Sequence, residues 1–193
     1  MTVPFLPMLD VASTREAAAS AGLPEALADV HLFRATFNHP PIGRIVGEVV
    51  QALVLNSVLD ARTREVAILR VGWRIGSVYE WSNHVPIARR AGMSDGEIAA
   101  VREPEPPAEL LTEADLCAID VVDEVLDCVS VTPATLATTR RLLGDDRAVL
   151  ELLTIPGLYR TIGTVLLTAQ IPLEAHVAPW PPDGLGPRPG PGA

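Results

Sequence analysis

Basic charge is in short supply in this chain: 15 Lys and Arg stand against 24 Asp and Glu, a net charge of −9. A phosphate-backbone binder needs a cationic footprint, so nucleic acid is not an expected partner. Thiols are equally few. Cys117 and Cys128 cannot make a disulfide scaffold, and 11 residues along one helix would hold them about 16 Å apart. Both are read as small buried hydrophobes in a stripe with Leu116, Val121 and Val125. Long apolar runs are missing as well, since Thr161 to Leu173 gives 13 residues where a spanning helix takes about 20. The opening Met-Thr-Val-Pro-Phe-Leu-Pro lacks the basic start and apolar core of a signal peptide, so a cytoplasmic chain with no membrane partner is expected. Glycine-rich nucleotide fingerprints, Walker, Cys-x-x-Cys and Gly-x-Ser-x-Gly patterns do not occur, and no fixed-period repeat is visible.

What the sequence does have is helix punctuation. Strict apolar-polar alternation never holds for more than a few residues, whereas caps and glycine stops recur. Ser13 with Glu16 reads as a capping box over Thr14 to Ala21, and Pro24 suits the first turn of a second helix reaching Phe37. Asn38-His39-Pro40-Pro41 is a breaker before an apolar helix from Ile42 to Val58. Asp60 caps Ala61 to Arg74, Ser77 opens a helix to Ala91, and Ser94-x-x-Glu97 opens a short one to Arg102. After the Pro104 to Pro107 linker, Thr112-x-x-Asp115 starts a helix through Val129, and Thr132-Pro133 starts one ending at Gly144. A last helical stretch from Asp145 or Asp146 is interrupted near Pro156-Gly157 and ends before Pro172. The expectation is an all-α fold of about eight helices over residues 1–176. Residues 177–193, rich in proline and glycine, form an expected flexible tail.

One segment has chemical character. Aromatic residues make up only 4% of the chain, yet Trp73, Tyr79 and Trp81 fall within nine residues, beside Glu80 and His84. On a helix Ser77, Glu80 or Trp81, and His84 share a face, so a hydroxyl, a carboxylate and an imidazole converge. The bland alternative is an ordinary i, i+4 Glu80–His84 pair, an N-cap at Ser77 and core aromatics.

The stretch Arg64-Glu65-Val66-Ala67-Ile68-Leu69-Arg70-Val71, then Gly76-Ser77-Val78-Tyr79-Glu80-Trp81-Ser82-Asn83-His84, then Ala88 to Ile98 resembles the carboxymuconolactone decarboxylase-like family of the alkylhydroperoxidase D-like superfamily. The resemblance is specific over residues 60–102 and extends over most of the chain before the tail. It implies an all-α, alkylhydroperoxidase D-like helical domain assembled as a homo-oligomer: dimer, trimer or hexamer. In the peroxidase branch a glutamate, two cysteines three apart and a histidine four later form a proton relay and redox pair. The same spacing holds Glu65, Ser77, Glu80 and His84 here, and serine and glutamate cannot cycle between dithiol and disulfide.

The resemblance therefore directs attention to acid-base chemistry: a cofactor-independent decarboxylase (lyase) or isomerase acting on a small carboxylated lactone or related carboxylic acid. His84 is the candidate general acid or base, Glu80 its expected direct partner, and Glu65 a second carboxylate at the far end of the relay. Ser77, Tyr79 and Trp81 are candidate substrate-binding groups. Arg70 or Arg74 is a candidate clamp for a substrate carboxylate, with a solvated helix-end charge as the plain alternative. His39, in the breaker, is a further candidate contact. His31 is read as a structural histidine and His176 as a surface one. Glu80 and His84, with Glu65 or His39 nearby, are an alternative set of ligands for a divalent metal, but two ligands on a helix without a known third are a weak signal, so neither metal nor other cofactor is expected. The competing readings are a catalytically idle oligomeric binding protein of the same fold and, behind it, a peroxidase-like antioxidant protein.

Overall fold

A computed structural model describes residues 5–187; the expectations for the first four residues and for the tail beyond 187 lie outside the described residues. Among the described residues there are nine α-helices and no strand. The chain divides into two compact units. Among the described residues, the first runs to Asn56 and includes Thr164–Val177; the second is Ser57–Gly163 with Ala178 to Pro187.

The first unit holds α1 (Val11–Ser20), a 3-10 turn (Glu25–Asp29), α2 (His31–Thr36) and α3 (Pro40–Val50), which runs into a π turn (Gln51–Leu55). Its core gathers Ala18, Leu23, Phe33 and Phe37, with Leu27, Val46 and Val50 packed against them. Beside Val46 and Val50, the face of α3 turned to this core carries two buried glycines: a Cβ at Gly43 would lie 2.5 Å from the Phe37 ring, and one at Gly47 2.3 Å from Leu23. The larger Ile42 and Ile45 on the same helix are 46% and 55% exposed. His31 is tied down as expected of a structural histidine, Nδ1 lying 3.0 Å from the Pro172 carbonyl, while His176 is exposed.

The second unit is built around α4 (Ala61–Arg74), ten consecutive residues of which, Thr63 to Gly72, are buried. It is flanked by α5 (Val78–Arg90) and α7 (Glu113–Cys128); α6 (Asp95–Ala100) and α8 (Pro133–Leu143) complete the layer, and α9 (Asp146–Thr168) starts here. The caps fall where the sequence places them. Asp60 accepts from the Arg62 and Thr63 N–H groups, Ser77 from Glu80, and both Ser94/Glu97 and Thr112/Asp115 form reciprocal boxes. Gly76, at φ +70°, turns the chain between α4 and α5. At Gly72 the two helices come so close that a Cβ would sit 3.1 Å from the Trp81 amide nitrogen.

Several expectations are corrected. The first cap is Asp10, not Ser13: its carboxylate accepts from the Ser13 N–H at 2.8 Å and the helix begins three residues early. The second helix is broken at Val30, whose extended backbone separates the 3-10 turn from α2. α9 runs through Pro156 without interruption. Its stripe Ala148, Leu152, Ile155, Tyr159 and Ile162 is buried, and that packing offsets the hydrogen bond that proline cannot donate. At 23 residues, α9 is long and apolar enough to cross a membrane by length and composition, contrary to the reading from the shorter run; it also carries Asp146, Arg147, Glu151 and Arg160. Cys117 is buried against the Thr139 hydroxyl, but Cys128 is exposed at the end of α7.

The segment expected to be a flexible tail makes specific contacts over residues 178–187. The Trp81 indole N–H donates to the Pro181 carbonyl (2.6 Å), the Trp180 N–H to the Ser82 hydroxyl (3.0 Å), and Arg102 pairs with Asp183 (2.8 Å). Three tryptophans close on one another, with Trp73 and Trp81 centroids 5.4 Å apart and Trp73 and Trp180 5.7 Å apart. Aromatic burial of this kind offsets the ordering entropy that the proline and glycine content suggested would win.

The glycines make a test of this packing. Gly72→Val, forced against the α5 backbone, is expected to lower unfolding free energy by about 1–3 kcal/mol in urea titrations. Gly157→Ala, in a helical position with open space around it, is expected to raise it by about 0.5–1 kcal/mol.

Candidate functional site

Glu65 and Gly72 are seven residues apart on α4, so both face α5. The close approach at Gly72 and the turn at Gly76 fold α5 back along α4, and His84 arrives opposite Glu65. The His84 Nδ1–H donates to Glu65 Oε2 at 2.7 Å. The Arg64 Nε–H donates to the other oxygen, Oε1, at 3.0 Å. On its second nitrogen, His84 faces Glu80, with Nε2 and Oε2 3.8 Å apart. Tyr159 of α9 stands edge-on to the imidazole at 5.4 Å between centroids. Glu65 is fully buried, and only 11% of the His84 side chain is accessible.

The expected order of partners is thus reversed: Glu65, not Glu80, is the direct partner of His84. An i, i+4 pair places two side chains side by side, but the ring nitrogen that makes the short bond is turned across to α4. Glu80 is left with Oε1 buried and lacking a hydrogen-bond partner.

Electrostatics follow from these contacts. Burial dominates at Glu80, and with only the charge of His84 to oppose it the carboxyl is pushed up to about 7. At His84 burial disfavours the charged ring, but the charge and hydrogen bond of Glu65, then the charge of Glu80, outweigh it and raise its pKa. At Glu65 burial is likewise overcome, by His84 and Arg64, and its pKa is lowered. Burial, with Glu80 and Glu65 nearby, holds the Tyr159 phenol well above its usual range, so it stays protonated. The site thus pairs an imidazole whose charged form is favoured with a Glu65 carboxylate whose ionised form is favoured, next to a Glu80 carboxyl poised near pH 7 to gain or lose a proton.

The other candidates fall elsewhere. Arg70 is not a substrate clamp: its guanidinium is 3% exposed and fully engaged by Asp123 at 2.6 and 2.9 Å and by the Val101 and Glu103 carbonyls. Arg74 is no solvated helix-end charge either, since it pairs with Asp123 and Asp127. Ser77 is buried as the N-cap of α5, its hydroxyl accepting from the Glu80 N–H at 3.3 Å. Trp81 is directed into the tryptophan cluster, where the Arg102 guanidinium lies 4.6 Å over its ring. Tyr79 is buried in α5. His39 belongs to the first unit, at the start of α3. Sequence reasoning missed Tyr159, 75 residues beyond His84 and without a local signal, and Arg64, whose adjacency to Glu65 was the available clue. Among the described residues no group of three or more His, Cys, Asp and Glu is arranged to hold a metal ion.

The pKa shifts set a pH dependence. His84, with its pKa raised by folding, contributes stability that is present below about 6.5 and lost as pH rises through its folded value. The raised Glu80 adds a penalty that grows as pH climbs from its ordinary value near 4.5 to about 7. Glu65, lowered, acts the other way and loses its contribution as pH falls below 4.5. Stability is therefore expected to peak near pH 5 and decline toward pH 8, by on the order of a few kcal/mol. Glu80→Gln, which cannot ionise, is expected to flatten the decline between pH 5 and 7 in denaturant titrations. An unchanged slope would contradict the assignment.

Residues 40–114 match the family model described as "Carboxymuconolactone decarboxylase family". No curated protein matches the chain. The matched span begins at Pro40 and takes in α3 to α6, including Glu65, Glu80 and His84. Over these residues, carried in an all-α fold, the chain is similar to the carboxymuconolactone decarboxylase family; the matched span covers less than half of the 193 residues.

Proposed function

We propose that the protein is a cofactor-independent acid-base enzyme, a decarboxylase or isomerase of a small carboxylated lactone or related carboxylic acid, with His84 and Glu80 moving the proton. The observation that carries this reading is the buried Glu65–His84 bond of 2.7 Å beside a carboxyl oxygen of Glu80 that has no partner. A group held near pH 7 next to an imidazolium suits proton transfer at neutral pH.

In a decarboxylation the bond between the carboxylate carbon and the ring breaks, and CO2 leaves. The electron pair stays on the substrate, spread toward the lactone carbonyl, until a proton arrives at carbon. Protonated His84 supplies the positive charge that attracts the anionic substrate and steadies the developing enolate, a role first assigned to Arg70 or Arg74. The proton comes from the His84–Glu80 unit, and Glu65 keeps the ring oriented throughout. An isomerisation uses the same two groups, one removing a proton and the other returning it.

A catalytically idle oligomeric binding protein is the second reading. It is favoured by the small accessible part of His84 and by two grooves whose linings do not include it, one of about 760 Å³ between α1 and α3 and one of about 430 Å³ near Asp60 and Leu142. Both readings include self-association, supported by the exposed Ile42 and Ile45 of α3, and light scattering tests it against the 20.6 kDa chain. Thiol-based peroxide reduction has less support, because Cys117 and Cys128 lie at opposite ends of α7.

A screen of small lactones and carboxylic acids, with carboxymuconolactone as the first compound, separates the readings. On an identified substrate His84→Ala is expected to lower turnover roughly 100- to 10,000-fold, and Glu80→Gln to remove the limb of the pH profile near 7. The double change of Cys117 and Cys128 to Ala is expected to leave turnover per folded molecule unaltered. Wild-type turnover and pH profile in His84→Ala would overturn the acid-base reading.

A further inference from the structure

We propose that Arg64 is a positioning residue: by holding one oxygen of Glu65 it fixes the carboxylate so that neutral His84 keeps its proton on Nδ1 and presents the Nε2 lone pair to Glu80. Its importance for turnover rests on the acid-base reading above, but its geometry does not. Glu65 is fully buried, so each of its oxygens needs a donor. Arg64 Nε–H supplies one at Oε1, 3.0 Å away, and His84 Nδ1–H the other at Oε2, 2.7 Å away. With Oε1 engaged by Arg64, Oε2 is held in place as the acceptor for the Nδ1–H. The nitrogen left for proton exchange is Nε2, on the side of Glu80.

Arg64 also acts through charge. Two cations share one carboxylate, and the guanidinium, only 9% exposed, competes with the imidazolium for it. The pull of Glu65 on the His84 proton is thereby weakened, leaving His84 able to give that proton up. The groups that face His84 are Glu65 and Arg64 from α4, Glu80 from its own helix and the Tyr159 phenol from α9. Glu151, also of α9, feels the Arg64 charge from the other side but is occupied by the Ser57 hydroxyl and the Val58 and Leu59 N–H groups. Arg64 is thus a cation that acts on His84 through Glu65.

The test is a pH titration of the full chain with 15N-labelled histidine, read by long-range proton–nitrogen correlation. The His84 signals are identified by their loss in His84→Ala from among the four histidines. In the wild type, neutral His84 is expected as the Nδ1–H tautomer. Arg64→Met is expected to raise the His84 midpoint by about half a unit to one unit and to admit the Nε2–H tautomer, and Arg64→Lys to bring the midpoint back toward the wild-type value. If Arg64→Met does not fold, Arg64→Gln, which keeps a donor but no charge, is expected to shift the midpoint in the same direction. A purely structural Arg64 would leave midpoint and tautomer unmoved in any folded variant, and that result, or an Nε2–H tautomer in the wild type, overturns the proposal. The acid-base reading is judged separately, on turnover by His84→Ala.

Discussion

The second unit depends on a charge that has no access to water. Glu65 lies on a helix buried for ten consecutive residues, and an ionised carboxylate there is tenable only if both oxygens are bonded and an opposite charge is in contact. His84 and Arg64 meet those two demands. Much of the local architecture serves the first of them. Gly72 lets α5 approach, Gly76 turns the chain, and the Ser77 cap fixes where α5 starts, so that its seventh residue arrives opposite Glu65. The other charges on the buried helix obey the same constraint, Arg70 finding Asp123 and two carbonyls on neighbouring segments.

Local chemistry was readable in the sequence, and long-range chemistry was not. The starts of α4 to α8 follow from side chains three or four residues away, and each was placed correctly. Where two residues compete for one cap, as Asp10 and Ser13 do, sequence alone does not rank them, and the aspartate that precedes wins because its carboxylate reaches Ser13. The break at Val30 and the passage of α9 through Pro156 are decided by packing rather than by local preference. The same limit applies at the site. Spacing brought Glu80 and His84 together, but which carboxylate takes the short bond depends on α4 lying across from α5. Arg70 was misjudged because its partner is 53 residues distant, and Tyr159 was invisible for the same kind of reason.

The first unit shows a different balance. α3 gives its glycines, with Val46 and Val50, to the interior and leaves its isoleucines at the surface. At Gly43 and Gly47 the absence of a side chain lets Phe37 and Leu23 come right up to the backbone, while Val46 and Val50 of the same helix pack beside them. The helix therefore resists enlargement on its inner face, while its outer face keeps an apolar character that packing within the unit does not require.

The tryptophan cluster has an optical consequence. All three tryptophans of the chain, Trp73, Trp81 and Trp180, stand within 6.5 Å of one another, and both tyrosines lie in the same unit. Intrinsic fluorescence from this protein is consequently a report on one small region, with excitation shared among three closely spaced indoles and an arginine stacked on two of them. The first unit, whose described aromatic side chains are phenylalanines, is nearly dark at those wavelengths. Loss of its helices is therefore followed by far-ultraviolet dichroism, since that unit holds none of the chain's tryptophans.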